Sequence, residues 1–239
     1  MDALKLSERI AIQHEIREDF GWDYRDDQKS AEELLQRFNS EAPFGLSSWN
    51  RQGRQAALES LTAALKAAEN IVFVGAAAKR SMLDRDWSKG TVFVAADGSV
   101  GACTGLVDVL VVVTDLDGGL HLQEAAVRGT PMVVHAHGDN KTRLETLLPQ
   151  WAKYQPPVML THQTDEIYDG MLNVGGFTDG DRAVCLVSYL GGDENKFTFL
   201  GYSTEQVGEW SGLTDPAQKL RKLEWMARIL DNFHSSWKA

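Results

Sequence analysis

What most restricts the fold of this chain is a texture that begins after Asn70. Short β-branched runs recur, each closed by Gly, Asp or His and followed by a more polar stretch. Residues 71–74 end in Gly75, residues 91–94 in Ala-Ala-Asp97-Gly98, and residues 107–113 in Thr114-Asp115-Leu116-Asp117-Gly118-Gly119. Residues 131–134 lead into His135-Ala136-His137-Gly138-Asp139-Asn140, residues 158–160 into Thr161-His162, and residues 197–200 into Gly201-Tyr202. Apolar runs this short, bounded by turn residues, belong to strands buried on both faces. Residues 121–128, 141–151 and 179–190 between them read as helices, and 215–233 forms a last amphipathic helix with Leu220, Leu223, Met226, Ala227 and Leu230 on one stripe. Strands alternating with helices predict βαβ units, and so an α/β fold built on a doubly wound, mostly parallel sheet.

Residues 1–69 predict an N-terminal helical region, and residues 70–239 the α/β domain that carries the chemistry. Leu4, Ile10, Ile12 and Ile16 fall at helical spacing, and Ser30 with Glu33 has the form of a capping box opening a helix over 31–38. A third helix is expected over 48–68. This stretch holds no chemical motif: Trp22 and Trp49 read as packing, and the acidic run at Asp26 and Asp27 as solvated surface.

The charge balance narrows the partners. A formal net charge of -10 on 239 residues argues against a nucleic-acid footprint, which needs clustered Lys and Arg. An acidic protein that binds a polyphosphate must recruit a cation or focus its few basic side chains. Cys103 and Cys185 have no ligand spacing and read as small buried hydrophobes in a reducing compartment. The opening residues lack a basic-then-apolar signal pattern, and the apolar run at 107–113 is interrupted by Asp108 and too short to cross a bilayer. The expectation is a cytoplasmic protein without a membrane partner, in a form compatible with a homodimer.

Open α/β sheets bind ligands outside the carboxyl ends of their strands, so Asp97, Asp115, Asp117, His135, His137 and Asp139 are expected in one crevice. In extended chain, residues i and i+2 point the same way, which turns Asp115 and Asp117 toward that crevice together. Two such carboxylates repel unless a cation sits between them. An all-oxygen donor set suits Mg²⁺, which takes carboxylates together with substrate phosphates. The alternative is that one Asp caps the next helix while the other faces water. With equivalent strand-end positions at Asp97 and Asp139, the expected metal ligands are Asp97, Asp115, Asp117 and Asp139. His135 and His137 lack a third ligand at zinc spacing and are expected to orient phosphate or bond a carboxylate. A satisfied, half-buried imidazole is the alternative for His135.

Gly175-Gly176-Phe177-Thr178-Asp179-Gly180-Asp181-Arg182 opens a helix whose free N–H groups suit an anion. Asp-Arg stands where a P-loop needs Lys-Ser/Thr, so this is no Walker motif. Gly176, Thr178, Gly180 and Arg182 are candidates for phosphate contact, with Asp179 or Asp181 as cap. Gly75, Lys79, Arg80 and Ser81 follow the first strand, where doubly wound folds usually hold nucleotide phosphates. Lys79 and Arg80 either neutralise phosphate there or are simply solvated.

Four segments together, A-A-D-G (95–98), T-D-L-D-G (114–118), H-A-H-G-D-N (135–140) and G-G-F-T-D-G-D-R-A (175–183), resemble the archaeal-type 6-hydroxymethyl-7,8-dihydropterin pyrophosphokinase family, which is related in fold to thiamin pyrophosphokinase. The resemblance spans residues 70 to 235. It implies Mg²⁺ as cofactor, ATP as co-substrate, a pterin acceptor and a place in methanopterin or folate biosynthesis. The family's loop after the first strand usually reads G-x-G-P-S-L, and Gly75-Ala-Ala-Ala-Lys79-Arg80-Ser81 departs from it. On this reading Asp115, Asp117, Asp139 and Arg182 form the catalytic group, with Asn140, or an Asp not taken by metal, as the candidate for reading the pterin edge. Thiamin pyrophosphokinase is the nearest alternative, followed by a D-x-D glycosyltransferase and a non-catalytic nucleotide-binding regulator.

Overall fold

Each of the apolar runs becomes a strand. In the computed structural model, which describes residues 3–138, 140–212, 215–233 and 237, the chain opens with helices α1 (Ala3–Phe20), α2 (Tyr24–Phe38) and α3 (Arg51–Ala67). It continues through β1 (Asn70–Val74), α4 (Arg80–Leu83), β2 (Thr91–Ala96), α5 (Val100–Cys103), β3 (Val109–Thr114) and α6 (Leu120–Val127). It closes with β4 (Met132–Ala136), α7 (Lys141–Trp151), β5 (Val158–His162), α8 (Asp179–Tyr189), β6 (Phe197–Leu200) and α9 (Pro216–Leu230).

The sheet has six strands in the order β5-β4-β3-β2-β1-β6, and every neighbouring pair is parallel. The first five strands step away from β1 in one direction; α8 then carries the chain back to lay β6 on the other side of β1. Right-handed crossovers in opposite directions put their helices on opposite faces. The side chains agree. Ile71, Phe73, Val111, Val113 and Val133 pack in one core with residues of α1, α3, α8 and α9. Their alternates Val112, Met132 and Val134 pack against α2, α6 and α7, while Val72 and Val74 meet Leu83 of α4 and Ala102 of α5. The sheet is therefore doubly wound, and its switch point lies between β1 and β6.

The N-terminal helices complete both cores. Ile12, Ile16, Leu61 and Leu65 join the core on the α8 face, and Ala31, Leu34, Phe38 and Trp49 join the other. Trp49 is fully buried and its Nε1 donates to the Pro156 carbonyl at 2.8 Å. Removing so large a side chain costs about 3–5 kcal/mol.

Two expectations for this region fail. Ser30 is no N-cap: α2 starts at Tyr24, capped by Asp23, whose carboxylate accepts from Arg25 N at 2.9 Å. Ser30 lies inside the helix, buried, and donates to Asn140 Oδ1 at 3.0 Å. Nor is Asp27 solvated surface. It is buried, accepting from Gly138 N (2.8 Å), Gln163 Nε2 (2.9 Å) and Arg17 Nη1 (3.4 Å). Both patterns were locally plausible; the cap at Asp23 overrules the first, and Arg17, Gly138 and Gln163 overrule the second.

Candidate active site

At the carboxyl ends of the strands lies a cleft of about 1060 Å³ including its open mouth. Four aspartates converge in it: Asp97, Asp115, Asp117 and Asp179 each offer a carboxylate oxygen within 4.8 Å of the others. Three belong to the expected metal set. Asp139 lies outside the described residues, and Asp179, expected as a cap, stands in the cluster at the first position of α8.

The route by which Asp115 and Asp117 meet differs from strand alternation. β3 ends at Thr114, and Leu116 takes φ 78°, in the left-handed region that a non-glycine residue enters at a cost of roughly 1–3 kcal/mol. That turn drives the Leu116 side chain into the core while its two neighbours face the cleft. Thr114 Oγ1 accepts from Leu116 N at 2.8 Å and donates to Asp97 Oδ1 at 2.5 Å. Asp97 itself sits at φ 49°. Two strained residues, tied through one hydroxyl, thus set the cluster.

Packing carboxylates together has the electrostatic consequence expected. Burial, and then the negative charges of Asp179, Asp117 and Asp115, raise the Asp97 carboxyl well above its ordinary range. Asp179 is raised likewise, by burial and by Asp115 and Asp117, against the pull of Arg182 and Lys219. Asp115 goes the other way. Burial would raise it, but the hydrogen bond and charge of His137, with Arg182 and Arg143, hold it below the usual carboxylate range. His137 Nε2 meets Asp115 Oδ2 at 2.9 Å. The second oxygen, Asp115 Oδ1, is buried without a hydrogen-bond partner. An orphaned carboxylate oxygen inside an all-oxygen cluster fits a hard cation, and these four residues can hold a metal ion.

The other expected residues divide. Gly75, His137, Thr178 and Gly180 line the cleft. His135 lies behind it, fully buried, with Nε2 donating to Gln163 Oε1 (3.2 Å) and Nδ1 meeting the Thr161 hydroxyl (3.0 Å). Burial, with the charges of Arg182 and His137, lowers its pKa well below the normal value, so it is neutral. Asn140 is spent on the backbone, donating to the His135 carbonyl at 2.6 Å and the Asp115 carbonyl at 3.3 Å. Asp181 is buried beneath the α8 turn, accepting from Phe177 N (3.0 Å) and Thr178 Oγ1 (2.7 Å). Arg182 is buried too; it pairs with Asp179 at 3.0 Å and donates to the Phe177 carbonyl at 2.6 Å. Gly176, at φ 86°, lets this arginine close in, since a Cβ there would lie 2.6 Å from Arg182 Cα.

The basic pair after β1 turns away. Arg80 donates to the carbonyls of Gly101, Ala102 and Thr104, which fixes it at the end of α5. Lys79 and Ser81 are exposed and do not line the cleft.

No protein-family model matches the chain. Over 232 residues, 90% of this chain and 89% of the relative, it is 33% identical to the 6-hydroxymethyl-7,8-dihydropterin pyrophosphokinase of Methanothermobacter thermautotrophicus. The chain belongs to the 6-hydroxymethyl-7,8-dihydropterin pyrophosphokinase family. It is also 38% identical to the protein of that name from Pyrococcus furiosus over 161 residues, 64% of this chain and 66% of the relative. With the one from Methanocaldococcus jannaschii the identity is 32% over 146 residues, 56% of this chain and 59% of the relative.

In this member of the pyrophosphokinase family the cleft also holds side chains that the sequence motifs did not single out. Lys219 and Lys222 reach it from α9, one turn apart, together with Leu223 and Met226. They bring basic charge to the cleft, which was one of the two readings for Lys79 and Arg80. Trp22, Gln163, Tyr202 and Trp210 complete the walls. The trace of the lysines in the sequence is slight: two positive charges flanking the apolar stripe of an amphipathic helix look like any solvated face.

Proposed function

We propose that this chain transfers the pyrophosphoryl group of ATP to the hydroxymethyl oxygen of 6-hydroxymethyl-7,8-dihydropterin, with Mg²⁺ as cofactor and AMP and the pterin diphosphate as products. The observation that carries this reading is the four-aspartate cluster at the strand ends, set beside Lys219, Lys222 and the N-terminus of α8. The names borne by its relatives state the acceptor and the transfer.

In the reaction the hydroxymethyl oxygen attacks the β-phosphorus, the bond from that phosphorus to the α,β-bridging oxygen breaks, and AMP departs with the electron pair. The hydroxyl proton leaves to water through the open mouth of the cleft. Phosphoryl transfer asks for positioning and charge neutralisation more than covalent help. Mg²⁺ held by Asp97, Asp115, Asp117 and Asp179 would offset negative charge on the phosphates. His137 holds Asp115 ionised and in place for that role. Arg182 holds Asp179, while Lys219 and Lys222 bring cations to the phosphate chain and the first turn of α8 offers backbone N–H donors. The expected location is the cytoplasm; no described helix is long and apolar enough to cross a membrane.

The direct test incubates the purified protein with ATP, MgCl₂ and either the pterin or thiamin, and follows AMP and the diphosphorylated acceptor. AMP and pterin diphosphate in equal amounts are expected, with none from thiamin. Thiamin turnover without pterin turnover would refute the acceptor. Asp117→Asn should lose most turnover with an unchanged fold by circular dichroism; normal turnover would remove Asp117 from the metal site.

A further inference from the structure

The lining of the cleft has two unlike ends. One end is a tight backbone wall at the β1/β6 switch point. There Ala77 N donates to the Gly201 carbonyl (3.0 Å) and Trp210 N to that of Ala76 (3.0 Å). Trp210 Nε1 is spent on the Ala78 carbonyl (2.8 Å) and the Tyr202 hydroxyl on that of Gly180 (3.0 Å). Nucleotides in doubly wound sheets sit at the switch point, so this end suits ATP.

The other end is bounded by Trp22 and Phe177, and it is built by the N-terminal helices. Gly21, at φ 67°, ends α1, and Trp22 N reaches back to the Arg17 carbonyl at 2.9 Å, the closing bond of a Schellman turn. The indole is thereby held in a fixed place at the mouth. Phe20 stacks on it at 4.7 Å with 27° between the ring planes, and Phe177 lies at 5.9 Å, tilted 49°. At 37% exposure, Trp22 is the most exposed aromatic of the cleft wall. Lys222 Nζ stands 5.2 Å from the Trp22 ring and 5.8 Å from that of Phe177, joining this end to the phosphate region.

Resting on the function proposed above, we infer that Trp22, backed by Phe20 and Phe177, is the stacking platform for the pterin ring, and that the N-terminal helical region thereby sets acceptor specificity. A bicyclic heteroaromatic laid against the indole gains the contact that makes tryptophan a general base-stacking residue. Its hydroxymethyl arm then points past Lys222 toward the phosphates, with ATP entering from the opposite end.

The test uses the full chain and two readouts: equilibrium binding of fluorescent 6-hydroxymethylpterin, followed through its own emission, and steady-state kinetics with ATP and the dihydropterin. Trp22→Ala should weaken pterin binding by about tenfold or more, the effect of losing one aromatic partner. Trp22→Phe should restore most of it, and the KM for ATP should stay within about twofold of wild type in both variants. An unchanged ATP KM also certifies that the variants are folded. Unchanged pterin binding in Trp22→Ala overturns the assignment, as does an equal loss of ATP affinity or a Trp22→Phe no better than Ala. Wild type that binds pterin through Trp22 yet forms no AMP supports the subsite and refutes the functional reading. Wild type that binds no pterin refutes both.

Discussion

Asp97→Asn should make the protein more stable in EDTA and less able to use a metal, and these opposite effects test the reading of the cluster. Asn keeps the shape, tolerates the left-handed φ of 49° at this position, and still accepts from Thr114 Oγ1. What it removes is charge. At the cluster's widest spacing of 4.8 Å, one like-charged pair costs about 3.5 kcal/mol at an effective dielectric of 20. The cleft is open on one side and solvent and salt screen its charges, so about 1–2 kcal/mol of that repulsion survives once Asp97 is ionised. In a chain of this length that is about 3–6 °C in Tm. The pH dependence has a definite sign. Burial and the neighbouring aspartates raise the Asp97 carboxyl above its ordinary 3.8, so the folded state binds that proton more tightly than the unfolded one. Its stabilising contribution is complete below 3.8 and is lost as pH rises through the raised folded value. Thermal unfolding in EDTA across this range should fall with pH more steeply for wild type than for Asp97→Asn. MgCl₂ should raise the Tm of wild type, leave that of the variant nearly unmoved, and support turnover only in wild type. If Asp97→Asn is no more stable than wild type in EDTA, repulsion does not dominate the cluster. If Mg²⁺ stabilises both proteins equally, Asp97 is not part of the metal site.

Asp27→Asn should be harmful despite its small change in shape, because both carboxylate oxygens accept from donors and an amide would set N–H against N–H. The expected cost is about 2–4 kcal/mol, read as a lower Tm with a reduced kcat as the turn that carries His137 loosens. In Gly208→Ala the new Cβ would lie 2.1 Å from the Ala76 carbonyl; the two segments must separate, and the KM for ATP should rise on the order of tenfold, while an unchanged KM would clear that wall of any part in nucleotide binding. Cys103 and Cys185 are buried, and burial pushes both thiols up to about 12. A disulfide reagent should therefore titrate neither thiol until the chain is unfolded, and fast reaction of either would contradict its burial.

Much of the architecture is legible in the residue pattern alone. The runs at 71–74, 91–94 and 197–200 fall inside or coincide with β1, β2 and β6, because strands of a parallel sheet packed under helices are predominantly apolar. Strand ends gather in one crevice in any such sheet, which is why the sequence alone brings Asp97, Asp115 and Asp117 together. Boundaries set by local pattern were weaker. Ser30 and Glu33 fit a capping box as well as real caps do, but Asp23 caps the helix seven residues earlier, and Ser30 inside it bonds Asn140 instead. Which of the two readings holds for Lys79 and Arg80 is decided the same way: they adjoin the right strand, but the carbonyls at the end of α5 claim Arg80, and Lys219 and Lys222 line the cleft instead.

By itself, then, the sequence determined the parallel α/β sheet, the crevice and its acidic character, since these follow from periodicity and from which residues end each strand. The tertiary structure decided which side chains actually share that crevice. Asp179 joined the cluster, and His135, Asn140, Asp181 and Arg182 moved behind it. Trp22 and Asp27, in a region without any motif, came to line and brace it. The placing of Trp22 and Asp27 depends on contacts between residues more than a hundred positions apart, such as Trp22 with Phe177 and Asp27 with Gly138 and Gln163. Such contacts leave no periodic or local trace in a sequence, because the free energy that selects them exists only once the helices have packed on both faces of the sheet.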